Sequence, residues 1–168
     1  MPLQTITFNG KIYPALQAEG NAALWAREFA ARVLTGNGVD IGCNRVEWCF
    51  PHADAIDPVL NQYDAYEFPQ QQLDYIHSSH CLEHLPDYVA ALDYWHSRLK
   101  VGGVLFLYLP NMDYQEYWNP ASNRKHVHYL NPAIMQSYFD LRTNIWGKVF
   151  VTQGYDLNGS FYVITEKI

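Results

Sequence analysis

The residues from Gly38 to Asp57, GVDIGCNRVEWCFPHADAID, combine a glycine turn with acidic side chains in a pattern that suits nucleotide-cofactor binding. Gly42 lets a ligand approach the backbone closely because it has no side chain. Asn44 stands where a second glycine would complete a Gly-x-Gly turn, and asparagine adopts left-handed backbone conformations at modest cost. Asp57 could accept hydrogen bonds from both hydroxyls of a ribose. On spacing alone, these acids could equally be turn or cap residues.

Histidines supply the other candidate chemistry. Imidazole titrates near neutral pH, so His80 is the leading candidate for a general base, and His126 and His128 on a later polar loop come next. The alternative for His80 is a structural or substrate-shaping role. His77 and His80 lie three residues apart, so on an extended strand they point to opposite faces and make a poor pair of ligands. We therefore expect no metal site from these residues.

The elements that must position these residues alternate between apolar strands and amphipathic helices. Strands are predicted at GVDIG, ADAID, LDYIHSS and GGVLFLYLP, and the last is apolar almost throughout, as in parallel strands covered on both faces. The segment LPDYVAALDYWHSRLKVGG between the last two has helical spacing and would end at Gly102 or Gly103, which gives a right-handed crossover. GNAALWAREFAARVL predicts a helix before the first strand, and Asn131-Pro132 opens another. Asn158-Gly159 indicates a terminal hairpin.

These elements predict an α/β fold, a Rossmann-like and mostly parallel sheet with helices on both faces and a C-terminal antiparallel hairpin. We expect a single domain over residues 1–168. It would comprise an N-terminal helical or lid segment (1–36), a cofactor-binding core (37–110), a lid loop (111–130) and a C-terminal helix and hairpin (131–168).

Composition narrows the setting of the protein. The 168 residues, 49% of them hydrophobic, can form one substantial core. A net charge of −6 argues against nucleic acid as a partner, since phosphate backbones are bound chiefly by clustered Lys and Arg. No segment is apolar enough to span a membrane and no export signal is evident. Three cysteines, an odd number, are consistent with reduced thiols, and we therefore expect a cytoplasmic protein. The sequence does not determine the oligomeric state.

An ordered set of motifs goes beyond these general features. In chain order they are Asp40-Ile41-Gly42-Cys43, Asp57-Pro58, Asp64-Ala65 with Phe68-Pro69, Leu73-Asp74-Tyr75-Ile76, Ser79-His80-Cys81-Leu82-Glu83-His84-Leu85, and Leu99-Lys100-Val101-Gly102-Gly103-Val104-Leu105. Together with HVHYLNP, this set resembles the class I S-adenosylmethionine-dependent methyltransferases, in particular their small bacterial members. The resemblance covers about residues 38–110.

The resemblance implies a role for each matching position. The turn of Asp40, Gly42, Cys43 and Asn44 would hold the methionine portion of S-adenosylmethionine, and Asp57 with Pro58 the ribose. Asp64 and Ala65 would meet the adenine, and Ser79 and His80 would line the methionine end near the transferred methyl group. Asp57 follows Gly42 by only fifteen positions and Asp64 follows Asp57 by seven, which is shorter than usual. We therefore expect a compressed cofactor side, with the first helix reduced to a turn or two.

Methyl transfer to a small-molecule acceptor is thus the leading hypothesis, and a base is optional for it. The alternative is a non-catalytic cofactor- or ligand-binding module that retains the fold. A nicotinamide-dependent oxidoreductase is disfavoured, because Glu47 and Trp48 follow where the last glycine of G-x-G-x-x-G belongs.

The remaining candidates lie at the edges of the expected site. Tyr13, Tyr114, Tyr117 and Trp118 could form an aromatic acceptor pocket, with core or lid packing as the alternative reading. Glu19 could reach the site entrance or could be a solvated charge at a helix start.

Overall fold

A six-stranded mixed sheet forms the centre of the protein. The structure, a computed structural model, describes residues 5–8, 10–14, 21–114 and 116–168. The strands in chain order are β1 (Thr5–Phe8), β2 (Lys11–Pro14), β3 (Gly38–Ile41), β4 (Asp54–Ile56), β5 (Leu73–Ser79), β6 (Leu99–Pro110), β7 (Phe150–Val151) and β8 (Ser160–Glu166). The helices are α1 (Ala23–Val33), α2 (Tyr88–Arg98) and α3 (Pro132–Asp140).

The order of strands places a crevice at one edge of the sheet. The large sheet runs β4-β3-β5-β6-β8-β7, with β4, β3, β5 and β6 parallel and β8 and β7 antiparallel to their neighbours. The chain leaves β3 toward β4 on one side and then returns to β5 on the other side. A ligand crevice is expected beyond the carboxyl ends of the strands at such a reversal of strand order.

Helices cover both faces of this sheet. On one face, the small residues Ala22, Ala26 and Ala30 at and within α1 allow close packing against the rings of Tyr75 and Phe106. On the other face, α2 and α3 bury their apolar sides against Ile76, Leu105 and Leu107. Successive residues of β5 and β6 thus serve opposite faces, as strand geometry requires. The predicted Rossmann-like α/β fold is confirmed.

Local signals account for the helix starts. The Asp87 side chain accepts a hydrogen bond from Ala90 N at the start of α2, and Asn131 accepts one from Ile134 N at the start of α3, where Pro132 is the first residue. The prediction that α2 would end at Gly102 or Gly103 is wrong. The helix ends at Arg98 because Leu99 already pairs with Leu73 in the sheet.

The connections on the cofactor side are short, as predicted. A single 3₁₀ turn, Val46–Trp48, replaces a helix between β3 and β4. The terminal strands are less simple than a tight hairpin at Asn158-Gly159, because residues 152–159 form a longer connection and β8 lies between β6 and β7. Asp156 orders this connection by accepting hydrogen bonds from the backbone N–H groups of Asn158 and Ser160.

The N-terminal residues contain an element that the sequence did not predict. β1 and β2 pair antiparallel in a separate two-stranded sheet within the segment expected to be helical or a lid. Glu19 lies outside the described residues, and the side chain of Tyr13 is also outside the description. Among the described helices, none has both the length and the apolar character needed to cross a bilayer.

Candidate functional site

A cavity of about 530 Å³ opens where the strand order reverses. Its walls come from the turn after β3, the residues after β4, the end of β5 and the loop between β6 and α3. Of the residues predicted to bind a cofactor or to act in catalysis, eight line it: Gly42, Asn44, Asp57, Pro58, Asp64, Ala65, His80 and His126. The strands and the loop therefore bring together residues that lie up to 84 positions apart in this set.

The turn after β3 depends on glycine at position 42. Gly42 has φ = +83°, and its N–H donates a hydrogen bond to Ile56 O at 2.9 Å. A Cβ atom at this position would lie 2.4 Å from Cys81 Sγ, a clash that a short side chain packed against the turn cannot relieve. Both the left-handed backbone and the close contact with Cys81 thus require a residue without a side chain.

Asn44 adopts the left-handed conformation that its residue type allows. Its φ is +60°, and its N–H donates to Asp57 Oδ2 at 2.7 Å. The loss of a second glycine therefore does not prevent the turn from forming. The hydrogen bond also joins the tip of β3 to the residue that follows β4.

Asp57 presents a carboxylate to the cavity with its orientation fixed. Oδ2 accepts from Asn44 N, and Oδ1 accepts from Val59 N at 2.9 Å. Each carboxylate oxygen has two lone pairs, so each can accept a second hydrogen bond from a ligand. A pair of adjacent ribose hydroxyls matches this arrangement, and the residues around Asp57 therefore fit an adenosyl group on chemical grounds.

Asp64 and Ala65 form a small turn on the same wall. Asp64 Oδ1 accepts from Tyr66 N and Glu67 N, so the carboxylate stabilises its own turn. Ala65 O accepts from the indole N–H of the buried Trp95 at 2.7 Å. The helix α2 thereby holds this wall in place from behind.

Four predicted site residues do not line the cavity. Asp40 is buried within β3, where Oδ1 pairs with His77 Nδ1 at 2.8 Å and Oδ2 accepts from Phe50 N at 2.6 Å. His77 in turn stacks between the rings of Phe50 and Phe106, on the face covered by α1. The Asp40 carboxylate therefore points into the protein and fixes the loop that follows the glycine turn.

The other three residues also lie outside the cavity lining. Cys43 is buried against Cys49, and the hydrogen bond between them, together with burial, raises the pKa of the Cys43 thiol. Ser79 is buried, and its Oγ has no hydrogen-bond partner among the described residues. His128 places Nε2 against the carbonyl oxygens of Leu85 and Pro86, at 2.8 and 3.2 Å. Because a carbonyl can only accept, His128 serves as a donor to the backbone and not as a base facing the cavity.

His80 closes the end of the cavity beyond β5. It has φ = +48°, a strained conformation of the kind found at functional sites. Nε2 lies 2.9 Å from Ser160 Oγ, and the ring contacts Trp118 edge-on at 5.2 Å between centroids. Burial, with smaller contributions from His126 and His84, lowers the pKa of His80 to about 3. The imidazole is therefore neutral and weakly basic at physiological pH.

Glu83, His84 and His126 form a polar cluster on the cavity wall that the sequence analysis did not recognise. Burial raises the pKa of the Glu83 carboxyl, which the nearby His84 partly offsets. Burial also lowers the pKa of His126 to about 4, against a hydrogen bond to Trp118 O that acts in the opposite direction. The available signal was the adjacent pair Glu83-His84, which lies in a short 3₁₀ turn, Leu82–His84, after β5.

The loop over the cavity is fastened to this cluster. Val127 N donates to Glu83 O at 2.9 Å, and Trp118, which is almost fully buried, lines the cavity beside Tyr117. Of the aromatic residues considered for an acceptor pocket, these two lie at the cavity. Tyr114 instead stacks on Tyr155 away from it.

Comparisons with known proteins agree with this fold. The family described as a methyltransferase domain matches residues 17–146, which is most of the chain. A search among curated proteins gives no match. A SAM-dependent methyltransferase from Thermotoga maritima is similar at 15% identity and a TM-score of 0.66, over 90% of this chain and 92% of that one. One from Archaeoglobus fulgidus is similar at 18% identity and a TM-score of 0.64, over 91% and 99% of the two chains.

A third similar structure carries a ligand. The N-methyltransferase NodS from Bradyrhizobium japonicum WM9, in complex with S-adenosyl-L-homocysteine, is 17% identical with a TM-score of 0.56, over 90% of this chain and 87% of that one. The chain belongs to the methyltransferase domain family. It is a class I S-adenosylmethionine-dependent methyltransferase, as the resemblance of its motifs implied.

Proposed function

We propose that the cavity beyond β3, β4 and β5 is the site where a methyl group passes from S-adenosylmethionine to a small-molecule acceptor. The observation that carries this proposal is the Asp57 carboxylate, which faces the cavity while two backbone N–H groups hold it. Asp57 would bind the ribose, the turn of Gly42 and Asn44 the methionine portion, and Asp64 and Ala65 the adenine. Pro58 would pack beside the ribose.

The charges of the cavity suit this cofactor. Three carboxyl groups line the cavity, those of Asp57, Asp64 and Glu83. Carboxylates attract the positive sulfonium and ammonium groups of S-adenosylmethionine. When bound, the cofactor supplies an electrophilic methyl group, so the protein mainly has to align the acceptor with it.

The far end of the cavity would receive the acceptor. His80, Tyr117 and Trp118 lie there, and the loop that carries the two aromatic residues covers the site. The His80 ring would form part of the wall that contacts the acceptor. Its hydrogen bond with Ser160 Oγ would fix the ring near the transferred methyl group. A cavity of this size suits a small molecule, and the net charge of −6 disfavours nucleic acid.

The cofactor assignment is tested by calorimetric titration with S-adenosyl-L-homocysteine. We expect Asp57→Asn to weaken binding by about ten-fold or more, because a hydrogen bond to a charged acceptor contributes about 1.5–3 kcal/mol. Asp54→Asn is the matched control, since Asp54 lies three residues before Asp57 but is exposed, lies outside the cavity lining and accepts a hydrogen bond from Gln70 Nε2. Equal affinity of the two variants would contradict the assignment.

The acceptor class is tested separately with S-adenosylmethionine labelled on its methyl group. The protein is incubated with small metabolites, total RNA or denatured protein as alternative acceptor pools. We expect label to appear in the small-molecule pool. Label confined to RNA or protein would contradict a small-molecule acceptor and leave the cofactor site intact.

A further inference from the structure

Glu83 places a carboxyl group with unused bonding capacity on the cavity wall. The side chain is fully buried, and neither Oε1 nor Oε2 has a hydrogen-bond partner of normal geometry among the described residues. Two histidine nitrogen atoms approach it without reaching hydrogen-bond distance, His84 Nε2 at 3.7 Å and His80 Nδ1 at 3.8 Å from Oε1. Buried polar groups are almost always satisfied, so an unpartnered carboxyl of this kind calls for a missing partner.

Each of two histidines beside this carboxyl has one ring nitrogen bonded to a backbone carbonyl and the other free to bind a ligand. His84 Nδ1 lies 2.8 Å from Lys125 O, and His126 Nδ1 lies 2.6 Å from Trp118 O. A carbonyl oxygen can only accept, so in both rings Nδ1 carries the proton and Nε2 keeps its lone pair when the ring is neutral. Histidines that bind metal ions are commonly oriented by this type of bond to a backbone carbonyl.

We propose that Glu83, His84 and His126 bind a divalent transition-metal ion, for which Zn²⁺ is the best match, on the wall of the cavity. One ligand atom from each of the three residues lies within 4.8 Å of the others. Atoms that ligate one tetrahedral ion at about 2.1 Å lie roughly 3.4 Å apart. The 3.7 Å between His84 Nε2 and Glu83 Oε1 already approaches that spacing, and the other separations, at most 4.8 Å, would have to close by up to about 1.4 Å through side-chain rotation.

The donor set selects the kind of ion. Two imidazole nitrogen atoms and one carboxylate are ligands that Zn²⁺ and neighbouring transition metals prefer, whereas Mg²⁺ prefers oxygen ligands. The ion would also supply the positive charge that the buried Glu83 lacks, since only imidazole groups lie within ion-pair distance of it among the described residues.

The open side of the ion would face the cavity, because all three ligands line it. With three protein ligands, a tetrahedral ion keeps one position for water or a ligand. This part of the inference rests on the function proposed above. If the cavity is the methyl-transfer site, an oxygen atom of the methyl acceptor would fill the open position on the ion. A metal ion lowers the pKa of an oxygen ligand, so a hydroxyl-bearing acceptor would be the favoured class.

The test is direct titration of the full chain after treatment with a chelator. Zn²⁺ is followed by calorimetry and Co²⁺ by visible absorption, both without S-adenosylmethionine. We expect one equivalent of each ion to bind, with Mg²⁺ failing to compete at equal concentration. Glu83→Gln and His84→Ala should each weaken binding about 100-fold or more, since even residues that only orient ligands contribute 10- to 100-fold.

His52→Asn is the control, because His52 is exposed, lies outside the cavity and has a positive φ that asparagine tolerates. It should bind both ions as the unaltered protein does. His84 is partly exposed, so His84→Ala provides a folded variant even if Glu83→Gln proves unstable. Absence of saturable Zn²⁺ and Co²⁺ binding by the unaltered protein, or equal binding by His84→Ala, would overturn the metal site.

Titration with S-adenosyl-L-homocysteine separates this proposal from the proposed function. If metal binding fails while the cofactor product binds, only the metal site is wrong. If metal binds while the cofactor product does not, the function proposed for the cavity is wrong and the metal site stands.

Discussion

Asn44 shows how one residue can preserve a turn after a glycine has been replaced. The left-handed backbone of Asn44 costs little free energy for glycine, which has no Cβ, or for asparagine, whose side chain can hydrogen-bond locally. It costs more for alanine, which has a Cβ and no polar group. We predict that Asn44→Ala lowers the free energy of unfolding by about 1 kcal/mol, and that Asn44→Gly changes it by less than about 0.5 kcal/mol. Urea unfolding of the ligand-free protein measures both values. Equal destabilisation by the two substitutions would mean that the side chain, and not the backbone, matters here.

Residue type predicted the conformation of Asn44 but not the direction of the Asp40 side chain. The motif places Asp40 two residues before Gly42, and the resemblance implied a cofactor role for it. Its partners in the structure, His77 and Phe50, lie 37 and 10 residues away, and no local pattern specifies such contacts. Motif position therefore predicts which segment forms the site more reliably than it predicts which side chains face it.

The Asp40 carboxylate links secondary-structure elements. Its hydrogen bonds to His77 and to Phe50 N join β3 to β5 and to the loop before β4. Removing the carboxylate leaves two buried N–H donors without acceptors, each costing about 1–3 kcal/mol. We predict that Asp40→Ala lowers the free energy of unfolding by about 3–5 kcal/mol, measured by urea unfolding. The affinity for S-adenosyl-L-homocysteine of the molecules that remain folded should change by less than about three-fold.

Asp40→Asn provides the conservative comparison for this prediction. Asparagine can accept one of the two hydrogen bonds, so its effect on stability should be smaller than that of alanine. A loss of cofactor affinity that exceeds the loss of folded protein would instead support the cofactor role implied by the resemblance.

A second link between elements should produce a pH-dependent stability. Asp74 in β5 pairs with Lys100 in β6 and accepts from Asn37 N just before β3. The hydrogen bond from Lys100, followed by that from Asn37 N, lowers the pKa of Asp74 below its ordinary value of 3.8. A lowered pKa in the folded state gives a stabilisation that is fully present above the unfolded pKa and is lost as the pH falls through the folded pKa.

We therefore predict that Asp74→Asn lowers the urea midpoint at pH 7, and that the difference from the unaltered protein begins to shrink below about pH 4 and is lost as the pH falls through the lowered pKa of the folded state. The salt bridge is largely exposed, so the effect at pH 7 should be small and should shrink at high salt. A difference that stays constant between pH 7 and pH 3 would show that the lost contribution is not ionic.

The elements also show where the sequence is informative and where it is not. Long periodic segments such as α2 and apolar runs such as β6 specify their own structure, and both were predicted. β1 and β2 were not predicted, since strands of four residues each are too short to give a strong pattern. The cluster of Glu83, His84 and His126 was missed because His126 comes from a loop whose path depends on tertiary contacts such as that of Val127 with Glu83.

At the scale of the whole molecule, the cavity joins parts of the chain that are otherwise separate. The tips of β3 and β4 and the end of β5 form one side, and the loop with Trp118 and His126 forms the other. A ligand that fills the cavity contacts all of them in the folded state and none of them in the unfolded chain. Binding should therefore raise the stability of the entire protein, in proportion to the logarithm of ligand concentration.

We predict that S-adenosyl-L-homocysteine at about 100 times its Kd stabilises the protein by about 2.7 kcal/mol and raises Tm by roughly 5–10 °C for a chain of this size. A thermal-shift series over ligand concentration measures the effect. At the same fixed concentration, Asp57→Asn should show a smaller rise in Tm, while Asp54→Asn should match the unaltered protein.

A nicotinamide dinucleotide should give no shift in Tm, because the turn after β3 lacks the glycines that cradle a pyrophosphate. A rise with the dinucleotide equal to that with S-adenosyl-L-homocysteine would show that the cavity recognises adenosine alone and that the methionine end of the site contributes no specificity.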